Sequence, residues 1–425
     1  MTMFNMLLRP FATTSLFYQH KPIEILIGCL IAAVPLSAVT NPAGMYWAAL
    51  ALFSLGLLIG FNGQASFQKS EKLILISWII FPAIVMFDQL FRMGWSWSHF
   101  QDSSRFLIVI PIFLLIRKYK IPIELVVFGV FFGAIWSGSL GLYQKLYLGW
   151  PRAYGGTSGG EISYGNISLL LGFMGYALAN TMPVSKNKKL LIGLVILGFG
   201  IIGSIASGTK GGWLSAPLLF WLVLGLDPSR RTVAKVYYLL IFFTTILLIW
   251  WLSPYIQSRV NHIPTAVMTY LNTNQITDGS ASVRLEMWKA AYYMINNNPL
   301  LGSGTNSYFA LNQALIQSGQ ISNIVSPFKG PHNQYLSITV QYGVVGLASL
   351  LTIYAALANH YLKVTKITPV FSVCGLLVVF GYMDFNLVDN LWAVNTGGVF
   401  FVTISAIFAG ISSQSSSLHC NKSYS

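Results

Sequence analysis

Residues 121 to 147 read IPIELVVFGVFFGAIWSGSLGLYQKLY, and this stretch is typical of a helix that crosses a membrane. Its two charged residues, Glu124 and Lys145, lie within four positions of the ends of the stretch. A helix needs about 20 predominantly apolar residues to cross the hydrocarbon core of a bilayer, where a charged side chain is costly. The stretch therefore predicts a transmembrane helix.

Comparable apolar runs, separated by short polar gaps, recur along the chain of 425 residues. Hydrophobic residues make up 55% of the sequence and charged residues only 8%, whereas about a quarter of the residues of a soluble domain are charged. The composition excludes a soluble globular protein and predicts an all-α, polytopic integral membrane protein with about twelve transmembrane helices. The predicted spans are residues 23–39, 44–62, 73–91, 104–117, 121–147, 163–181, 189–206, 212–226, 235–253, 333–359, 368–386 and 393–411.

The basic residues predict the orientation of these spans. If the N-terminus is cytoplasmic, 16 of the 25 Lys and Arg residues lie in the even-numbered gaps and the two tails. Cytoplasmic segments carry an excess of Lys and Arg, so both termini are expected in the cytoplasm. The same spread of basic residues over short gaps explains the formal net charge of +14 without a nucleic-acid partner.

The gap between the ninth and tenth spans is unlike the others, because it contains 79 residues, from Pro254 to His332. Long gaps usually carry function, and the orientation puts this one on the periplasmic side. Within it, Ser282 is expected to cap a helix from about Val283 to Ile295, and a second helix is expected over about 306–317. The chain is thus predicted to divide into residues 1–253 with spans one to nine, 254–332 with the periplasmic loop, 333–411 with the last three spans and 412–425 as a cytoplasmic tail.

Arg284 is the first candidate for chemistry, since it lies in the first turn of the predicted loop helix. Its guanidinium and the free amides of the helix start together favour a phosphate or diphosphate group. A solvent-facing arginine paired with Glu286 or with a loop carbonyl is the alternative. Trp288, one turn further along, is a candidate for stacking on a sugar.

His332 lies directly before the tenth span, in Lys329-Gly330-Pro331-His332-Asn333, where Pro331 is compatible with the start of the helix. The positive end of the following helix dipole disfavours imidazolium, and a neutral histidine is what a general base requires. The alternative is a histidine that lies at the membrane interface without a catalytic role. Asp384 and Asp389, toward the outer end of the eleventh span, are candidates for orienting a histidine or a sugar hydroxyl.

Two glycine-rich stretches on the outer side add further positive charge. One runs from Arg152 to Gly160, and the other, Ser207-Gly208-Thr209-Lys210-Gly211-Gly212, joins spans seven and eight. Glycines let backbone amides approach an anion closely, and Lys210 supplies a point charge. Flexible re-entrant loops explain both stretches equally well. Together with Arg284, these cations predict a site for an anionic lipid head group such as a diphosphate.

No metal or cofactor is expected. The acidic residues of the outer side lack the DxD and HExxH spacings that hold metal ions. The three cysteines, Cys29, Cys374 and Cys420, lie too far apart in sequence for a CxxC site or a disulfide framework.

The chain resembles the bacterial O-antigen ligase family. His332 and Asn333, nine further residues and Gly343-Val344-Val345-Gly346 match the family's H[NSQ]x9Gxx[GTY] pattern without gaps. Ser282-Val283-Arg284-Leu285-Glu286-Met287-Trp288, followed by Asn298-Pro299-Leu300-Leu301-Gly302-Ser303-Gly304, looks like the family's large-loop signature, in which the arginine is essential. The twelve predicted spans and the position of the loop agree as well, so the resemblance covers most of the chain.

The resemblance implies a membrane glycosyltransferase of GT-C-like architecture in the inner membrane of a Gram-negative bacterium. Its donor would be an O-antigen polysaccharide linked to undecaprenyl diphosphate, and its acceptor a sugar hydroxyl of lipid A-core at the periplasmic face. The transfer would invert the anomeric carbon and need no metal, with His332 as the base and Arg284 holding the diphosphate charge. The further predicted substrate-binding positions are Arg152, Lys210, Asn333, Asp384 and Trp288.

One position departs from the family's usual sequence. The family commonly carries an arginine where this chain has Lys210, and lysine keeps the charge but loses the bidentate phosphate geometry. Three rival functions remain open. An O-antigen polymerase of the same superfamily uses similar cations, a protein O-oligosaccharyltransferase usually carries a longer C-terminal extension, and a polysaccharide transporter is expected to have charged residues deep within several spans.

Overall fold

The computed structural model describes residues 19–64, 66–209, 211–225, 254–277 and 281–422, with a few isolated positions between 236 and 251. These residues form helices and connecting loops, with no β-strand among them. In chain order, the α-helices in these ranges are α1 (Pro22–Ser37), α2 (Pro42–Leu55), α3 (Lys69–Asp88), α4 (Trp97–Ser104), α5 (Val109–Lys118), α6 (Ile123–Leu142), α7 (Gly160–Leu178), α8 (Lys186–Ser207), α9 (Ala216–Gly225), α10 (Pro254–Thr273), α11 (Ala281–Asn297), α12 (Tyr308–Gln317), α13 (Gln334–Val364), α14 (Pro369–Val388) and α15 (Asn395–Lys422).

Eight helical segments of the described chain are long and apolar enough to cross a bilayer, which confirms the prediction of an all-helical, polytopic membrane protein. The helices at predicted spans one and eight, Pro22–Ser37 and Gly211–Gly225, are shorter than a bilayer requires. Predicted span nine lies outside the described residues apart from isolated positions, so the total of twelve stays a prediction. The eight segments are Pro42–Gly60, Lys69–Met93, Ile123–Tyr147, Gly160–Thr181, Lys186–Ser207, Gln334–Val364, Pro369–Val388 and Asn395–Gln414.

Close packing holds the long helices together. Lipid tails are as apolar as the buried side chains, so association in a membrane depends on fit between helices and on hydrogen bonds. Helices α7 and α8 approach closely because glycines face each other: a Cβ added at Gly200 would lie 2.6 Å from the Cα of Gly172. Trp78 and Phe401, both fully buried, lie in the centre of the core with their ring centroids 5.7 Å apart.

Polar side chains cross-link the helices at the end of the bundle where α3 begins and α5 ends. Arg117 Nε donates to Glu71 Oε1 at 3.1 Å, and both side chains are almost completely buried. Nearby, the buried His360 ring lies between Ser70 and Ser412, with its Nε2 3.1 Å from Ser412 Oγ. Breaking a buried ion pair leaves an uncompensated charge, so this network fixes the relative positions of these helices.

The predicted boundary of the C-terminal tail at residue 412 does not coincide with the end of the last helix. Helix α15 continues to Lys422, and Ser412 and Ser413 are fully buried. The buried Ser412 hydroxyl has hydrogen-bond partners in this helix: it donates to Ala409 O of its own backbone and lies within hydrogen-bond distance of His360 Nε2.

The long gap before α13 contains a packed helical unit with its own core. Met287, Ala290 and Met294 of α11 pack against Tyr308 of α12 and against Val340 of α13. The predicted second helix is confirmed as α12. The predicted cap of the first helix is wrong, because α11 begins at Ala281 and Ser282 lies inside it.

Helix α13 is interrupted at Gly343, and the loop unit is attached at that interruption. Gly343 has φ 62° and ψ −159°, a conformation that only glycine adopts readily. The loop after α11 supplies the missing hydrogen bonds: Ser303 N donates to Val340 O at 2.8 Å, and Val344 N donates to Pro299 O at 2.9 Å. The two separate sequence motifs, 298–304 and the glycine of the histidine pattern, therefore meet in one backbone junction.

Gly343→Ala is expected to destabilise the protein by about 3 kcal/mol or more, because it combines backbone strain with a steric clash. A Cβ at this position would lie 2.2 Å from Leu300 O. The melting temperature of the purified protein in detergent measures the effect. Gly198→Ala is the matched control, since a Cβ there meets nothing within 4 Å and the helix continues through it. Equal melting temperatures for the two variants would contradict the junction.

Candidate active site

His332 and Asp389 form a hydrogen-bonded pair where the start of α13 meets the end of α14. His332 Nδ1 lies 3.1 Å from Asp389 Oδ1. The Asp389 side chain is 11% exposed, whereas that of His332 is 38% exposed, so solvent contacts the pair mainly at the His332 ring. A carboxylate at Nδ1 favours a proton on that nitrogen and leaves the lone pair of Nε2 able to accept another. The pair has the arrangement of a general base with its orienting acid.

Neighbouring backbone and side chains hold the histidine in place. His332 itself has φ 47°, an uncommon conformation for a residue with a side chain. Trp288 Nε1 donates to Pro331 O at 3.0 Å, so this tryptophan, predicted to stack on a sugar, braces the turn that carries His332. The ring of Phe328 meets the imidazole edge to face, with the centroids 5.7 Å apart.

Asn333, a predicted substrate-binding position, is the N-cap of α13. Its Oδ1 accepts a hydrogen bond from Leu336 N at 3.1 Å, and its Nδ2 donates to Leu387 O at 3.1 Å. The helix begins at Gln334, so Pro331 lies before the cap and not in the first turn. These contacts of Asn333 join the start of α13 to the end of α14 one residue away from His332. They therefore hold Asp389 beside the histidine.

The charge of Arg284 interacts with the carboxylate of Asp389. Burial lowers the pKa of the Arg284 guanidinium below its usual value, and the charge of Asp389 works in the opposite direction. Pairing with Glu286, the alternative considered from sequence, does not occur. Glu286 is buried and accepts hydrogen bonds from the Tyr270 hydroxyl and from Ser322 N, the latter at 2.6 Å. A partly buried cation thus lies close to the His332–Asp389 pair.

The two glycine-rich stretches lie together. Arg152 Nε donates to Ser207 O at 2.7 Å, and a Cβ at Gly208 would lie 3.3 Å from Arg152 Nε. The stretch beginning at Arg152 therefore contacts the residues that immediately precede Lys210. Lys210 itself lies outside the described residues.

Asp384 is separate from the histidine. Its carboxylate lies against Ser215, at the start of α9. Of the two acids that the sequence offered for orienting a histidine, Asp389 contacts His332. The sequence offers only a weak signal for Asp389, its position at the end of a span, because 57 residues separate it from His332 and only the packing of α13 against α14 joins them.

Within the described ranges, no group of three or more His, Cys, Asp or Glu side chains is suited to hold a metal ion. The His332–Asp389 pair with Arg284 is a candidate site for acid–base and electrostatic chemistry. Fold and site together describe a polytopic membrane protein with a candidate acid–base site between a helical loop unit and the last spans.

Residues 192–351 match the family model described as O-antigen ligase, which confirms the resemblance found in the sequence. The match includes Arg284 and His332 and supports the O-antigen ligase and polymerase superfamily. The chain is also 24% identical over 399 residues to an uncharacterized protein of Haemophilus influenzae, covering 92% of this chain and 99% of that protein.

Proposed function

We propose that the protein is an O-antigen ligase, which transfers an O-antigen polysaccharide from undecaprenyl diphosphate to a sugar hydroxyl of lipid A-core. The single observation that carries this proposal is the His332–Asp389 pair, 3.1 Å apart and open through the histidine, with the Arg284 charge acting on the same carboxylate. A base, and a cation whose charge interacts with the acid that orients it, suit a reaction in which an alcohol loses a proton and a diphosphate departs.

In the proposed reaction, the acceptor hydroxyl oxygen attacks the anomeric carbon of the lipid-linked sugar. As the new carbon–oxygen bond forms, the hydroxyl proton moves to Nε2 of His332, and Asp389 stabilises the resulting imidazolium. The bond between the anomeric carbon and the diphosphate oxygen breaks, and the diphosphate keeps the electron pair. Attack opposite to the leaving group inverts the anomeric carbon.

Arg284 is proposed to stabilise the negative charge that develops on the leaving diphosphate. A guanidinium presents several donors in a planar fork, which suits a phosphate group, and its partial burial strengthens the electrostatic interaction. Arg152 and Lys210 would supply further positive charge, because the stretches that contain them meet at Ser207.

The proposed orientation places the site on the periplasmic side of the inner membrane and both termini in the cytoplasm. The basic residues Lys69, Lys72, Arg117, Lys118 and Lys363 lie at the starts or ends of helices at the bundle end away from His332. That end would be cytoplasmic by the positive-inside rule. The loop unit, residues 254–332, would then be periplasmic.

Gel profiling of lipopolysaccharide tests the proposal. A Gram-negative host without a ligase, with matching core and O-antigen, would express the wild type or His332→Ala, and carrier-linked polymer would be assayed in parallel. We expect polymer on lipid A-core with the wild type alone. Lengthened carrier-linked chains that stay off the core would instead establish a polymerase. Glycan export without any transfer, unaffected by His332→Ala, would establish a transporter.

A further inference from the structure

A pocket beside the catalytic pair has no assigned role. It occupies ≈ 200 Å³ and lies between the first half of α13, the end of α3, α4 and the loop that joins α14 to α15. Three of its lining residues flank the pair in sequence: Lys329 and Gln334 lie on either side of His332, and Asn390 follows Asp389. A ligand in this α13 pocket would therefore lie next to the site of proton transfer.

The lining combines an aromatic side with a polar side. Phe81, Phe106 and Trp392 contribute aromatic rings, whereas Gln334, Gln341 and Asn390 contribute amides. Planar amides donate and accept hydrogen bonds in one plane, and aromatic rings cover the apolar face of a ring-shaped ligand. The volume is below the roughly 300–1,000 Å³ of pockets for drug-sized molecules, so a single ring is the natural size of the ligand.

The amides of the lining residues offer both donors and acceptors of hydrogen bonds. A sugar hydroxyl matches either group, since it donates one hydrogen bond and accepts others.

Other contacts keep the pocket rigid. Gln334 Oε1 accepts from Trp392 N at 3.2 Å, and Gln341 Oε1 accepts from Asn306 N at 3.1 Å. Gly330 allows Asn390 to approach, because a Cβ there would lie 2.8 Å from Asn390 Nδ2. The pocket is therefore already formed without a ligand, which reduces the entropy cost of binding.

Resting on the proposed transfer function, we propose that the α13 pocket binds one sugar ring of a glycan substrate and sets the distance of that glycan from His332. The Asn390 amide bonds to its hydroxyls, and Lys329 and Asp102, one side chain of each charge, also line the pocket. The glycan is either the lipid A-core acceptor or the lipid-linked donor, and the experiment below distinguishes the two.

Saturation-transfer NMR on the purified full chain in detergent tests binding without requiring catalysis. The probes are core oligosaccharide and O-antigen polysaccharide, each released by mild acid from the lipopolysaccharide of the host. We expect a signal from one probe with the wild type and with His332→Ala. Asn390→Ala combined with Lys329→Met should weaken that binding about tenfold. Asn296→Ala and Lys289→Met, exposed or half-exposed positions of α11 away from the pocket, are the matched controls.

Steady-state transfer assays with rough lipopolysaccharide and extracted carrier-linked polymer separate the two glycans. A KM raised about tenfold for the acceptor, with kcat retained, assigns the pocket to the core, and the same rise for the donor assigns it to the O-antigen. Binding of neither probe to the wild type, or binding unchanged in the double variant, would overturn the sugar pocket. Normal binding by a wild type that never transfers polymer to the core would overturn the ligase function alone.

Discussion

His332→Ala is expected to lower kcat for polysaccharide transfer by about 10²–10⁴-fold while the protein still folds, because it removes the group proposed to accept the hydroxyl proton. Asp389→Asn is expected to cause a smaller loss. The amide oxygen can still accept from Nδ1, but it no longer stabilises the imidazolium with a full charge. The measurement is transfer of carrier-linked polymer to rough lipopolysaccharide by purified protein in lipid nanodiscs.

His20→Ala is the matched control for this prediction. His20 also lies beside a carboxylate, with its Nδ1 3.4 Å from Glu24 Oε2, but it precedes α1 at the bundle end away from the site. The control should keep full activity. A His332→Ala variant with wild-type kcat would show that His332 is not the base.

Arg284→Ala is expected to lower kcat by about 10²–10³-fold, the typical effect of removing one donor that stabilises developing charge. Arg284→Lys should retain part of the activity, because lysine restores the charge but not the planar fork. A short-chain prenyl diphosphate provides the second readout. As an analogue of the leaving group, it should inhibit the wild type at least tenfold more strongly than Arg284→Ala.

Lys289→Ala, five residues along the same helix α11, is the control for Arg284. It removes a cation from the loop unit without touching Asp389, and both readouts should match the wild type. If Arg284→Ala lost activity but remained fully sensitive to the prenyl diphosphate, the arginine would act by positioning Asp389 and would not contact the leaving group.

The membrane-spanning helices could be predicted well because each signal is local. A run of about 20 apolar residues predicts a span by its own composition, and eight of the predicted runs are such helices. The misplaced start of α11 has a local cause too. Ser282 is a common capping residue, but the helix extends one residue before it.

The sequence by itself predicted a polytopic helical membrane protein that resembles the O-antigen ligase family, and it singled out His332 and Arg284. Tertiary structure alone decided that Asp389 rather than Asp384 meets His332, that Gly343 interrupts α13 where residues 299–304 join it, and that the α13 pocket exists. Hydropathy depends on neighbours along the chain, so it can be read from the sequence. The hydrogen bond between residues 332 and 389 depends on how two helices pack, and the number of residues between them does not determine that packing.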